Sequence, residues 1–228
     1  MNWLFLFFGL LPTTIWLIFF LQEDKDNPEP TKILFFAFLW GVLVTPIVYL
    51  VQKIYSFFIP TDAILFSFPS FVFLALTEEL GKFLVIYLII RRSPAFDEPL
   101  DAMVYMIMSA LGFATVENLL SVFGFRAQPL AYVEVTTLRL IGATLIHSLA
   151  SAIIGFYWAR AMLRKYKIFW AILSGLLIAV LLHAAFNFLI IKFPPLGWPL
   201  LIALLAGFFV FRDFEMIKEE EVEKPLSN

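Results

Sequence analysis

Residues 71–90 read FVFLALTEELGKFLVIYLII, an apolar run with three ionisable side chains near its centre. A helix rises about 1.5 Å per residue, so a run of this length crosses the roughly 30 Å hydrocarbon core of a bilayer. Glu78, Glu79 and Lys82 then lie deep in the membrane, where a single charge costs about 2.5–3.5 kcal/mol on insertion scales. The run therefore predicts a transmembrane helix that turns these groups towards other helices rather than towards lipid.

The composition of the whole chain agrees with a membrane protein. Its 228 residues are 62% hydrophobic, with 28 phenylalanines, and the mean hydropathy is +0.92. These values lie far above those of a soluble domain. The net charge of -2 and the lack of a basic patch exclude a nucleic-acid partner. Cysteine is absent, which excludes disulfides.

Short polar segments divide the chain into seven apolar stretches, each long enough to span a membrane. The predicted spans are about 3–21, 33–56, 64–90, 101–122, 136–160, 168–191 and 197–212. The fold class is thus all-α, a polytopic membrane helical bundle of about seven transmembrane helices. We expect one integral membrane domain over residues 1–212, followed by a charged cytoplasmic tail over 213–228.

The distribution of basic residues predicts the orientation of the bundle. With seven spans, eleven of the 16 Lys and Arg residues lie on the side of the C-terminus and four on the other, Lys82 being inside a span. Basic residues concentrate on the cytoplasmic side of membrane proteins. The N-terminus is therefore expected outside and the C-terminus in the cytoplasm.

Four spans carry polar residues at a similar depth. Measured from the cytoplasmic ends, Glu79, Glu117, His147 and His183 lie about 18, 24, 20 and 22 Å deep at the rise of an α-helix. The four values agree within roughly one helical turn, as residues of a shared site must. We expect them to converge in a buried polar centre.

The pair of glutamates in the third span has a cation beside it. Glu78 is four residues and Glu79 three residues before Lys82, so all three share a helix face. The ammonium can keep one carboxylate ionised while the other retains a proton, an arrangement that suits a base and an acid. A buried salt bridge that only orients helices is the alternative.

The remaining candidates are Glu117 with Asn118, His147, and His183 with Asn187. The last two are i,i+4 neighbours on one helix face. His147, His183 and Glu117 suit a zinc site that leaves an open position for water. They equally suit a metal-free site, in which histidine and asparagine support an oxyanion while a glutamate activates water. The spacing leaves both open, and a role in helix packing alone remains a third interpretation.

These motifs together resemble the PrsW-type intramembrane proteases, within the wider group of type II CAAX-prenyl-protease-like membrane proteins. The resemblance covers about residues 75–190. It rests on Glu78-Glu79-x-x-Lys82, Asp97-Glu98-Pro99-Leu100-Asp101-Ala102-x-x-Tyr105, Ala110-Leu111-Gly112-Phe113-Ala114-x-x-Glu117-Asn118, His147 and His183-x-x-x-Asn187. A protease-like core over about residues 64–191 follows from it.

The resemblance implies an endopeptidase in a prokaryotic cell membrane. Glu78 and Glu79 would activate the hydrolytic water, and the site would be completed by Glu117, His147, His183 and Asn187, supported by Lys82 and Asn118. The cofactor would be zinc or another divalent metal, or none, since related members are also viewed as glutamate-dependent. The implied substrate is a membrane-anchored regulatory protein such as an anti-sigma factor.

Two other functions fit buried ionisable residues. A proton-coupled transporter or ion pathway also uses buried Glu, Lys and His, but it is expected to break helices near the midplane, and glycine and proline are sparse around Glu117 and His183. A non-catalytic scaffold would use the same residues to lock helix pairs. Outside this set, we expect Asp97 to cap the fourth span and Asp101 to favour its N-terminus.

Overall fold

The computed structural model describes residues 3–22, 27–59, 61–125, 127–128, 130–165, 167–193 and 197–223. All regular structure in these ranges is helical, which confirms the predicted fold class. A short helix, Asp62–Leu65, and a 3-10 turn, Ile90–Arg92, accompany seven long helices. The long helices are α1 (Leu4–Phe20), α2 (Thr31–Phe58), α3 (Phe68–Leu88), α4 (Pro99–Gly124), α5 (Ala131–Arg164), α6 (Ile168–Lys192) and α7 (Gly197–Glu223).

The long helices suit a bilayer. Within the described ranges, four of them, α2, α4, α5 and α6, are long and apolar enough to cross a membrane, and α1 is a shorter apolar helix. Helix α3 has a similar length but contains the three ionisable residues of the predicted site. Large apolar side chains cover the outside of the bundle, for example Phe57 at 84% and Phe208 at 65% exposure. These exposed faces are those expected to contact lipid.

Helix α4 forms the centre of the bundle. It is buried along most of its length and lies against α1, α2 and α5. Small residues allow the close approach: a Cβ atom on Gly41 would lie 2.0 Å from the carbonyl oxygen of Ser109, and one on Gly112 would lie 2.0 Å from that of Phe38. Helix association in lipid depends on such backbone contact. Substituting either glycine must push α2 and α4 apart.

The four helices with the predicted polar residues are neighbours. Helix α3 packs against α4, α5 and α6, and α5 packs against α4 and α6. Helix α7 covers the far side of α5. The polar residues of α3, α4, α5 and α6 can therefore meet inside the bundle.

The ends of two helices differ from the prediction. Glu98, and not Asp97, is the N-cap of α4, because Pro99 takes the first helical position. The Asp101 carboxylate accepts hydrogen bonds from the backbone N–H groups of Asp97 (2.9 Å) and Glu98 (2.7 Å). Helix α7 continues past the predicted span end at 212 to Glu223, so most of the charged tail is helical. Residues 224–228 of that tail lie outside the described residues.

Candidate active site

A network of ionisable side chains lies where α3, α4, α5 and α6 meet. It contains Glu78 and Glu79 from α3, Glu117 from α4, His147 from α5 and His183 from α6. All are buried except Glu117, whose side chain is 29% exposed. Residues far apart in the chain thus form one polar centre inside an apolar bundle.

Glu79 has both carboxylate oxygens engaged. Its Oε1 lies 2.6 Å from the Lys82 ammonium and 2.7 Å from Nδ1 of His183. Its Oε2 accepts a hydrogen bond from the hydroxyl of Ser151 at 3.1 Å. Glu79 and Lys82 are both fully buried. The carboxylate is therefore fixed between three partners, and both of its oxygens are engaged.

Glu78 has one free oxygen. Its Oε1 accepts a hydrogen bond from the Gln52 amide at 2.9 Å. Its Oε2 is buried and has no hydrogen-bond partner among the described residues. That oxygen lies 3.6 Å from Nε2 of His183 and 3.9 Å from Nδ1 of His147. Because an unsatisfied buried carboxylate oxygen is costly, its surroundings suit a further species such as water or a metal ion.

Each histidine is oriented by a carboxylate on the opposite side of its ring. Nε2 of His147 lies 2.8 Å from Oε2 of Glu117, and Nδ1 of His183 lies 2.7 Å from Oε1 of Glu79. When these nitrogens donate, the other two ring nitrogens keep their lone pairs near the free oxygen of Glu78. Nδ1 of His147 also accepts a hydrogen bond from the Lys82 ammonium at 3.2 Å. A carboxylate behind a histidine is the arrangement that commonly orients metal-binding imidazoles.

The spacing of three donor atoms, one each from Glu78, His147 and His183, fits a metal ion. Zinc binds histidine and carboxylate at about 2.0–2.2 Å, which places tetrahedral ligand atoms about 3.4 Å apart. One ligand atom from each of Glu78, His147 and His183 lies within 4.8 Å of the other two. Oε2 of Glu78 is 3.6 Å from Nε2 of His183 and 3.9 Å from Nδ1 of His147. The structure thus groups Glu78 with the two histidines, whereas Glu117 faces the far nitrogen of His147. These three residues can hold a divalent metal.

The charges around this group also favour a cation. Three carboxylates face two cationic side chains, Lys82 and Arg139, which leaves one formal negative charge when the histidines are neutral. The Lys82 ammonium lies 3.2 Å from Nδ1 of His147 but 2.6 Å from Glu79. Lys82 thus has two partners, and the shorter distance makes Glu79 the stronger one and Nδ1 of His147 the weaker one. A buried excess of negative charge is stabilised by a bound cation.

Comparison with known proteins agrees with this geometry. Residues 29–212 match a family described as "PrsW family intramembrane metalloprotease". The chain belongs to the PrsW family. The predicted membership, the intramembrane protease function and the enzyme class are thereby confirmed, and the transporter and scaffold alternatives are not favoured. A PrsW-family protease acts on a membrane-anchored protein substrate and is an integral membrane protein.

Curated relatives of the chain carry the name "Protease PrsW". The one from Geobacillus kaustophilus (strain HTA426) is 30% identical over 201 residues, which are 87% of this chain and 84% of the relative. The one from Bacillus subtilis (strain 168) is 30% identical over 185 residues, 80% of each chain. The relative from Clostridioides difficile (strain 630) is 28% identical over 185 residues. No solved structure matches the chain.

Two of the residues predicted for the PrsW site lie at its margin. The buried Asn118 amide donates to Thr13 (3.2 Å) and Thr144 (3.0 Å), so it ties α4 to α1 and α5. Asn187 is half-buried one turn after His183, and its side chain makes no hydrogen bond to another described residue. Asn118 therefore supports the helices, and Asn187 lies beside the network without joining it.

Three residues of the network were not predicted as parts of the site. Gln52 near the end of α2 contacts Glu78, Ser151 on α5 contacts Glu79, and Arg139 on α5 contacts Glu117. Gln52 lies on the same helix face as Thr45, seven residues earlier. This spacing of two polar residues in an apolar span is the sequence pattern that could have indicated a buried role for Gln52. Arg139 lies near the start of the fifth predicted span, where the sequence favours a basic residue at the membrane interface.

A cleft leads from the side of the bundle to this network. It has a volume of about 230 Å³, and its lining includes Tyr49, Gln52, Phe113, Glu117 and Arg139. A water molecule in the liquid takes up about 30 Å³, so the cleft has room for several. Its lining includes Gln52 and Glu117, the direct neighbours of Glu78 and His147, so the cleft reaches the edge of the network.

Proposed function

We propose that this PrsW-family protease hydrolyses peptide bonds at a zinc site formed by Glu78 Oε2, His147 Nδ1 and His183 Nε2. One observation carries the proposal. The only buried carboxylate oxygen without a partner in the described part of the network faces two imidazole nitrogens whose rings are held from behind by carboxylates. Three protein ligands with one open position are typical of catalytic zinc.

Each neighbouring residue has a role in this proposal. Glu79 and Glu117 accept the ring N–H groups of the histidines and so set which nitrogen keeps its lone pair. Gln52 fixes the orientation of the Glu78 carboxylate, and Lys82 balances the charge of Glu79. A zinc ion held by these residues would supply the Lewis-acid chemistry that peptide hydrolysis at neutral pH requires.

Asn187 is proposed as a donor to the oxyanion. It follows His183 by one helical turn and lies on the same face. Its amide is half-buried and makes no hydrogen bond within the described residues, so it is available to substrate. Amide donors placed beside a scissile carbonyl stabilise the negative charge that develops on its oxygen.

The site is proposed to lie nearer the outer face of the membrane. Glu117 is about 10 Å from the end of α4 at Gly124, and Gln52 is about 9 Å from the end of α2 at Phe58. Both ends are on the side with fewer basic residues, so we propose an external N-terminus and a cytoplasmic C-terminus. From the family resemblance, we propose an anti-sigma factor as the membrane-anchored substrate.

A cleavage assay in proteoliposomes tests this function. Wild-type protein should cut a tagged membrane-anchored substrate, lose the activity to a chelator and regain it with zinc. Glu78→Gln should abolish cleavage, whereas Glu134→Gln, at an exposed position on α5, should not. Cleavage that survives complete chelation but is lost in Glu78→Gln would replace the metal with a glutamate-activated water. Full activity of Glu78→Gln would refute both mechanisms.

A further inference from the structure

Arg139 donates to three neighbouring side chains of α4. Its Nη2 donates to Oε2 of Glu117 at 3.0 Å, its Nη1 donates to the Ser121 hydroxyl at 3.0 Å, and its Nε donates to Oδ1 of Asn118. The Arg139 side chain is only 17% exposed. A guanidinium with donors on three partners is held in one orientation, which a flexible lysine ammonium cannot reproduce.

A π-helical turn places Arg139 on the same face of α5 as His147. In a regular α-helix, residues eight apart are rotated by about 80° from each other, whereas residues seven apart differ by only about 20°. Residues Arg139–Ala143 form a π turn, which takes up additional chain within the helix. That extra length brings Arg139 and His147 into near alignment, and both contact the same carboxylate of α4.

Arg139 and His147 contact the same oxygen atom of Glu117. Oε2 of Glu117 lies 2.8 Å from Nε2 of His147 and 3.0 Å from Nη2 of Arg139. Glu117 also lines the cleft and is the most exposed carboxylate of the network. Without the guanidinium, this side chain is free to turn into the cleft and solvate. Arg139 therefore decides where the Glu117 carboxylate points.

We propose that Arg139 is a positioning residue that acts on His147 through Glu117. It holds Glu117 against Nε2 of His147, so that the ring keeps the Nδ1 lone pair directed at Glu78. The proposal rests on the function proposed above, because it assigns Nδ1 to the metal. Loss of an outer partner of a metal-binding histidine typically weakens metal affinity or activity about 10–100-fold.

A double-mutant cycle tests whether the effect passes through Glu117. Zinc affinity of the metal-depleted protein is measured by competition with a chromophoric chelator for Arg139→Gln, Glu117→Gln and the double variant. Each single variant should bind zinc about 10–100-fold more weakly than wild type. The double variant should bind no more weakly than Glu117→Gln alone. The kcat of each variant should follow its zinc affinity, with KM for the peptide unchanged.

Two further variants separate this role from a loss of fold. Arg139→Lys keeps the charge but loses the three-way contact, so it should recover only part of the zinc affinity. Arg164→Gln removes the same charge from the other end of α5, where Arg164 pairs with Glu220, and should bind zinc as wild type does. If Arg139→Gln does not fold, the zinc affinity of Arg139→Lys is compared with that of Arg164→Gln. A lower affinity in Arg139→Lys supports the proposal, and an equal affinity refutes it.

The results that overturn the proposal are distinct from those that overturn the zinc site. Unchanged zinc affinity in Arg139→Gln, or losses that multiply in the double variant, would refute a role through Glu117. In that case Glu78→Gln would still abolish zinc binding and cleavage. Wild-type protein that binds no zinc would instead refute the proposed metal site, whatever the Arg139 variants do.

Discussion

Replacing Lys82 with methionine tests how the buried carboxylate of Glu79 is stabilised. Both residues of this ion pair are fully buried, and the ammonium lies 2.6 Å from Oε1 of Glu79. Removing one member of a buried pair typically costs about 3–5 kcal/mol, because it leaves an uncompensated charge. Glu79 keeps its contacts with His183 and Ser151. We therefore expect Lys82→Met to lower the free energy of unfolding by about 3 kcal/mol, the lower end of that range.

The assay is equilibrium unfolding in mixed micelles with increasing denaturing detergent. It compares Lys82→Met, Glu79→Gln and the double variant, with Lys192→Met as the control at an exposed position. The double variant removes both charges, and replacing a whole buried pair by neutral groups is often close to neutral in stability. It should therefore be more stable than Lys82→Met alone.

Two results would refute this reasoning. If Lys82→Met is as stable as Lys192→Met, the ammonium does not stabilise Glu79. A double variant no more stable than Lys82→Met would show that the single substitution acts through packing, for example through the contact of Lys82 with the Phe113 ring.

Three other substitutions probe packing, orientation and pH dependence. Gly112→Ala should lower stability by about 1–3 kcal/mol through overpacking, whereas Gly124→Ala, with no atom within 4 Å, should leave thermal unfolding nearly unchanged. Gln52→Leu should reduce kcat/KM about 10–100-fold, since a hydrogen bond to a charged group contributes about 1.5–3 kcal/mol; an unchanged rate would contradict its role. Burial raises the pKa of Glu221, beyond the predicted membrane span of α7, to about 7. Its stabilising effect should be complete below the unfolded pKa of about 4.3 and be lost as pH rises through 7. Hydrogen exchange at α7 should show that loss in wild type but not in Glu221→Gln.

The depth of ionisable residues in apolar stretches was the most informative signal in the sequence. Glu79, Glu117, His147 and His183 were expected at similar depths and are connected in one network. The signal is strong because a bilayer penalises any polar group that does not face another. Their arrangement around the free oxygen of Glu78 required the structure, since periodicity does not give the rotation of one helix against the next.

Residues near the helix ends were harder to assign. Gln52 and Arg139 look like interface residues in the sequence, because polar side chains are expected at both ends of a span. The π turn after Arg139 changes the face on which the residue lies, and no local composition marks it. The cap of α4 was predicted one residue early for a similar reason: Asp97 and Glu98 are both acidic, and the fixed backbone of Pro99 selects the second.

Zinc titration of the metal-depleted wild-type protein tests the central arrangement most directly. With donors from Glu78, His147 and His183, the protein should bind one ion per chain, and His183→Ala should abolish that binding. Asp97→Asn, in the separate acidic cluster with Glu29 and Asp101, should leave it intact. Protein that cleaves its substrate without saturable metal binding, or that binds zinc equally well as His183→Ala, would contradict the account.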